Sequence, residues 1–345
     1  MTVTAPTTAA ARATGRKTFT WFNPAGKHAT DYELYTVGQQ SDPKDWLKVD
    51  WPLMFDSGRA PFTEEASKIR SSRWRDWRDP FQVWQRPYVQ ESNYEEQALE
   101  RMIPGALDGG GLQAMNTSWL REAVGRYYAA WPFAEYGLFL ALCYAVRESF
   151  ADTVMFATAF EATDKFRHEQ DVVRLLLEIK ERDAGFSDAV ARDAWMKDPI
   201  LVPTRETIER IFSLNDYVEI LVAVNLCFEP LVGRLVKDEF LAHNAPYNGD
   251  VVTPMILSAV RRDSSRHLAT TKELVSFLVS DPVHGRLNHN VISDWIRKWT
   301  ASSTQAALAA GALFRLPGIT VARGGAEALA NVRAEQVALV AGLGL

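Results

Sequence analysis

The chain has 345 residues, 47% of them hydrophobic and 23% charged, a balance that excludes disorder as the default state and allows one large buried core. A formal net charge of −5 excludes a general electrostatic pull toward nucleic acid or an anionic membrane. Cys143 and Cys227 stand in apolar surroundings without CxxC or Cys/His zinc spacing, as expected of buried thiols in a cytoplasmic protein.

Residues 1–18 are Ala- and Thr-rich, lack the continuous apolar core of a secretory signal, and are expected to form a disordered tail. No long apolar run free of charge appears in the chain, so no membrane span is expected. Residues 19–90 are dense in Trp, Pro, Arg and Asp, as in WFNPAGKHATDYELYTV and RWRDWRDPFQVWQRPYV, with little helical period. Such a segment has no local core for its aromatic side chains and is expected to be an extended arm that wraps the domain or a partner. Stacking of the arm on single-stranded nucleic acid is the alternative, and Asp76, Asp79 and Glu91 oppose it by interrupting the basic residues.

Helical patterns dominate afterwards. They are expected at Asn93–Ile103, Asn116–Trp131, Pro132–Arg147, Ser149–Asp183, Asp188–Asp198, Thr204–Asn244, Pro254–Leu278 and His284–Gly311. In the third of these, Phe133, Tyr136, Phe139, Leu140, Cys143 and Tyr144 recur at three- and four-residue spacing. The pattern predicts an all-α bundle over residues 91–300 and a helical extension over 301–345, in which Ala and Gly abound.

Within the helical region one pattern occurs twice: Asp164-Lys-Phe-Arg-His168 and Asp263-Ser-Ser-Arg-His267. Both read D-x-x-R-H on separate predicted helices. Diiron carboxylate bundles hold their metals with Glu-x-x-His from each of two helices and one Glu from each of two others, because residues three apart share a helix face. Here the histidines stand in place, while Lys165 and Ser264 occupy the glutamate positions.

The doubled pattern resembles the D-E-x-R-H pair of the catalytic hydroxylase subunits of methane, toluene, phenol and propane monooxygenases, with its ligand glutamates replaced. The family's first single glutamate then falls on Glu135. The second precedes an apolar C-F-x-P-L stretch, which looks like Cys227–Leu231 and points to about Asn225, with Glu229 as the less favoured occupant. The resemblance thus implies six positions: Glu135, His168 and His267 kept, Lys165, Asn225 and Ser264 substituted. A lysine adds positive charge where metal would sit, so stable iron binding is not expected. Such degeneracy is similar to that of the family's β subunits, and the arm's DYELYTVGQQ and WRDWRDPFQVWQRPYV look like their acidic-aromatic segment and F/W-R-D-P turn.

That resemblance implies a ferritin-like, non-catalytic subunit with no catalytic, cofactor or metal residue of its own. The larger catalytic partner would carry the diiron centre. The assembly would be α2β2 or α2β2γ2, served by an NADH-linked reductase and a small effector protein, and would hydroxylate or epoxidise a small hydrocarbon. Lys165 is expected to face Glu135 across the bundle. Other readings stay open at this point: His168 and His267 as ordinary histidines, Glu135 as an exposed acid at a helix edge, the chain as a metal oxidase with an atypical site, or a helical scaffold unrelated to oxygenases.

Overall fold

The computed structural model describes residues 24–39 and 63–345. The expected tail at 1–18, and the parts of the arm at 19–23 and 40–62, lie outside the described residues. In the described part of the arm, Thr30 and Glu33 form a reciprocal cap on helix α1 (Asp31–Tyr35): Glu33 N donates to Thr30 Oγ1 at 3.1 Å and Thr30 N donates to Glu33 Oε2 at 2.8 Å. The rest of the described arm folds back on its own domain. Trp74 and Trp77 enter the main core, Ser67 Oγ donates to Asp216 Oδ1 at 2.8 Å, and Ser71 Oγ and Ser72 N donate to Asp281.

Helix α2 (Gln85–Ala106) begins earlier than its periodicity suggests, because Pro87 in the first turn lacks only an N–H that has no partner there. The π-type turns of α3 (Trp119–Tyr128) lead into α4 (Trp131–Glu148), followed by α5 (Asp152–Arg182), α6 (Ala191–Lys197) and α7 (Val202–Phe212). The single helix expected over 204–244 is broken after Phe212. Asp216 caps a new start, accepting from Val218 N and Glu219 N at 3.0 and 3.2 Å, and α8 (Tyr217–Val222) runs directly into α9 (Ala223–Ala242). The remaining helices are α10 (Val252–Val279), α11 (Gly285–Ala310) and α12 (Gly325–Gly342), and no strand occurs among the described residues.

Helix α9 is central: it packs on α10, α11 and α12, while α5 packs on α4 and on α10. Its hydrogen bonding is π-type, and Pro230 inside it contributes no N–H to the ladder. The turn before α10 requires Gly249, whose φ is +75° and whose missing Cβ would stand 2.0 Å from the Ala114 carbonyl oxygen.

The stretch Trp119–Glu148 is as apolar as a membrane span, but Ala123, Val124, Ala134, Leu138 and Leu142 are core residues of the bundle. Helix α4 is apolar on both sides. Ala134, Glu135, Leu138, Ala141, Leu142 and Ala145 face inward, which turns Phe133, Tyr136 and Cys143 outward. Cys227 is buried as expected; Cys143 is exposed, because the apolar series that contains it is the outer one.

Candidate functional site

Four helices bring the doubled-motif residues together: Glu135 from α4, Lys165 and His168 from α5, Asn225 from α9, and Ser264 and His267 from α10. Glu135 is 1% exposed and Lys165 0%, so the acid does not sit at an exposed edge. Lys165 Nζ donates to Glu229 Oε1 and lies 3.5 Å from Glu135 Oε2. A second ammonium, Lys237 Nζ, stands 3.1 Å from Glu135 Oε1 and 2.9 Å from Glu229 Oε2. The indole Nε1 of Trp131 donates to Glu135 Oε1 at 2.9 Å. Two carboxylates and two ammonium groups therefore form one neutral buried cluster.

Its electrostatics are set by mutual compensation. Burial pulls the Lys165 amine down, and Glu135 and Glu229 more than reverse this, holding its pKa above the ordinary lysine value. Burial pushes Glu135 and Glu229 up, and the two lysines outweigh it, leaving both carboxyls below the usual range. Lys165, Glu135 and Glu229 thus hold one another in their charged forms, with Lys237 beside both carboxylates.

Around this cluster the two D-x-x-R-H motifs clasp each other. His168 Nε2 lies 3.0 Å from Asp263 Oδ2, and His267 Nε2 lies 2.8 Å from Asp164 Oδ2. Each aspartate thus orients the histidine of the opposite helix. Arg167 pairs with Asp263 and, at 2.8 Å, with Glu95; Arg266 pairs with Asp164, which also accepts from Tyr88 OH at 2.8 Å. Burial, outweighing the Asp263 bond, lowers the His168 pKa, so its neutral ring donates from Nε2 and keeps a lone pair on Nδ1. Neither His168 Nδ1 nor His267 Nδ1 has a hydrogen-bond partner.

A carboxylate on one ring nitrogen with the other nitrogen aimed inward is the outer arrangement that fixes a metal-ligating histidine. That outer arrangement occurs twice here, whereas lysines stand inside it. The donor set does not fit a diiron centre, because two ammonium groups already neutralise the carboxylates that two cations would need. Among the described residues no three His, Cys, Asp or Glu side chains are grouped to hold a metal ion.

Residues 51–282 match the methane/phenol/alkene hydroxylase family. The chain is a member of that family. It is 31% identical to the small subunit of the propane 2-monooxygenase hydroxylase component of Rhodococcus jostii, over 87% of this chain and 82% of the relative. It is 29% identical to the β chain of methane monooxygenase component A of Methylococcus capsulatus, over 80% and 73% of the two chains. Among solved structures, phenol hydroxylase from Pseudomonas sp. OX1 shares the fold with a TM-score of 0.79 at 19% identity, covering 92% of each chain. Toluene 4-monooxygenase does so with a TM-score of 0.67 at 23% identity, over 72% of this chain and 81% of that one.

The remaining positions divide. Asn225 donates to Glu161 Oε1 and Thr271 Oγ1, both at 2.9 Å, and makes no contact with the lysines among the bonds described; Ser264 Oγ is buried without a partner. Glu229, the less favoured occupant, is the α9 acid that meets Lys165. Sequence reasoning missed Lys237 and Glu161. Their signal was available as i, i+4 spacing: Glu161 to Lys165, and Glu229, Gly233 and Lys237 along one face of α9.

Proposed function

We propose that the chain is the non-catalytic small (β) subunit of the hydroxylase in a multicomponent, NADH-dependent monooxygenase that oxidises a small hydrocarbon. The observation that carries this reading is the exchange at the bundle's centre: the outer His–Asp pairs of a diiron site remain, and Lys165 and Lys237 replace its inner cations. The diiron centre and the oxygen chemistry belong to a larger catalytic subunit, and this chain buries and positions that partner's helices. Support for a partner comes from the outer side of α4 and α5, where Phe133, Tyr136, Phe166, Val173 and Leu177 are exposed together. An α2β2 or α2β2γ2 assembly, a reductase, a small effector and a cytoplasmic location complete the reading.

A metal oxidase with an atypical site is disfavoured by the two ammonium groups, and a scaffold unrelated to oxygenases by family membership. The test is iron analysis of the full chain purified with and without the catalytic subunit. Iron should follow the catalytic subunit alone. Two irons per chain in the absence of the partner would overturn the proposal.

A further inference from the structure

Helix α12 is held to the bundle along one thin line. It packs chiefly on α9 and on the turn Gly311–Arg315, and of its 18 residues Ala328, Val332 and Gln336 are the buried ones. Leu329, Leu339 and Val340 add half-buried contacts. A segment with so few buried apolar side chains belongs to the low end of local stability. The specific contact is polar: Gln336 Nε2 donates to Thr300 Oγ1 at 3.0 Å and to the Leu226 carbonyl oxygen at 3.3 Å, four residues before Pro230, which has no N–H to offer that carbonyl. The outer ties are an Arg234–Glu335 pair, its side chains 45% and 47% exposed, and a bond of 3.0 Å from His289 Nε2 to the Gly344 carbonyl oxygen. Ion pairs as exposed as this one contribute little.

The chain enters α12 through Gly324 and Gly325. A Cβ on Gly325 would stand 3.0 Å from both the Gly311 carbonyl oxygen and Phe314 Cβ, so that residue sits tight against the preceding turn. A Cβ on Gly324 would meet nothing within 4 Å. One glycine fixes where the pivot lies, and the other leaves it free to turn. Beyond the pivot, Glu335 and Leu339 line one wall of a groove whose other wall carries Glu229, Gly233 and Lys237 of α9. Lys237 also ties α9 to Glu135 on α4. Helix α12 therefore covers the side of the lysine–glutamate cluster that joins these two helices.

We propose that α12 is a hinged lid: it turns about Gly324, leaves α9 as a unit, and admits water to Lys237 and Glu229 while the rest of the bundle stays folded. Closed, it keeps water from the cluster; open, it weakens the attraction between Lys237 and its carboxylates by raising the local dielectric. The inference stands on the packing of this chain and does not depend on its proposed role.

The test is native-state labelling of the full chain, in the same assembly throughout, with a small maleimide and each thiol read by peptide mass spectrometry. Val332→Cys places a thiol under the lid at a position 0% exposed, and Val172→Cys, 2% exposed on α5, places one that only wider unfolding frees. The thiol at position 332 should label roughly tenfold faster or more than the one at 172. Added to Val332→Cys, Gln336→Ala should speed that labelling roughly tenfold, the equivalent of a net hydrogen bond. Arg234→Gln, which removes the Glu335 pair, is the second loosening variant if Gln336→Ala does not fold. Gly324→Ala should slow labelling about twofold to fivefold, because φ −69° and ψ 150° suit alanine and the methyl narrows the freedom of the open hinge. Acetylation of Lys237 by an amine-reactive ester should rise and fall with the thiol. Equal rates at 332 and 172, a rate at 332 that the loosening and hinge variants leave unchanged, or acetylation of Lys237 indifferent to them would each overturn the proposal.

Discussion

A lysine can stand in for a metal only while its carboxylates stay ionised, so the energetics of Lys165 belong to a group of four residues. With Lys165 removed, Glu135 and Glu229 share one ammonium, and one buried negative charge is left uncompensated. Breaking such a pair commonly costs about 3–5 kcal/mol, while exchanging both partners for apolar groups is far milder. Lys165→Met should therefore destabilise by about that amount, and Lys165→Met with Glu229→Leu by less than either single change. Denaturant unfolding of the four-member cycle measures the coupling, and additive effects would exclude a working pair. A second prediction concerns Asp171 on α5. Burial first, then the Glu96 carboxylate, pushes its carboxyl up to about 7 against Arg167 and Arg174, and its Oδ1 has no hydrogen-bond partner. The folded state then holds a proton that the unfolded chain releases near the ordinary value of 3.8, so this group's stabilisation is full below that pH and is lost as pH rises through about 7. Asp171→Asn should flatten the decline over that window and gain about 1–3 kcal/mol at pH 8. Equal pH profiles for wild type and variant in thermal melts would contradict the assignment.

At the scale of the element, α9 shows how a helix accommodates the cluster. Glu229, Gly233 and Lys237 lie one turn apart along the face that meets α4 and α5, and the glycine leaves room for the Glu229 carboxylate between its neighbours. Gly233→Ala would place a methyl 2.1 Å from Glu229 Oε2, displacing it from both lysines, whereas Gly311, with open space around its Cα, is the matched control. Gly233→Ala should cost about 1–3 kcal/mol despite the better helix propensity of alanine, and Gly311→Ala should cost little. Thermal unfolding of the pair decides this; equal melting points would mean that the carboxylate moves freely. The same helix shows what the sequence made legible and what it did not. The D-x-x-R-H repeats were readable because their spacing is local, and they led to the meeting of Lys165 with Glu135. Lys237 was passed over because no metal motif includes it, although its spacing from Glu229 and Gly233 places it on the same face of α9. The break before α8 was written as Asp216 followed by Glu219, but the helical period before it and the apolar run after it masked the cap.

For the whole molecule, periodicity fixed that α4 is an amphipathic-looking helix without fixing which side is inside. The bulky series Phe133, Tyr136 and Cys143 reads as a core face, yet the bundle buries the small residues Ala134, Ala141 and Ala145 with Glu135 among them. Small residues permit α4 and α5 to lie close, and the cluster requires Glu135 inside, so the aromatic series is left outward. There it continues onto α5: Phe139 and Phe166 rings stand 5.1 Å apart, Tyr136 and Phe139 5.9 Å apart, and Val173 and Leu177 border the same concave surface, with Glu169, Lys180 and Asp188 around it. An apolar patch ringed by charges, on two adjacent helices, is the form of a protein interface, and the catalytic subunit is the occupant that the proposed function requires. Introducing a charge at its centre should separate the subunits while leaving this chain folded, since Tyr136 and Leu177 are 45% and 57% exposed. Tyr136→Asp and Leu177→Asp should each weaken co-assembly roughly thirtyfold or more, the effect of losing a central interface residue. Val283→Asp, at a position 69% exposed on the turn before α11, should not. Size-exclusion chromatography with light scattering on the co-expressed subunits reads the outcome, with circular dichroism to show that each variant is folded. If the complex survives both α4 and α5 substitutions at low micromolar concentration, the catalytic subunit docks elsewhere.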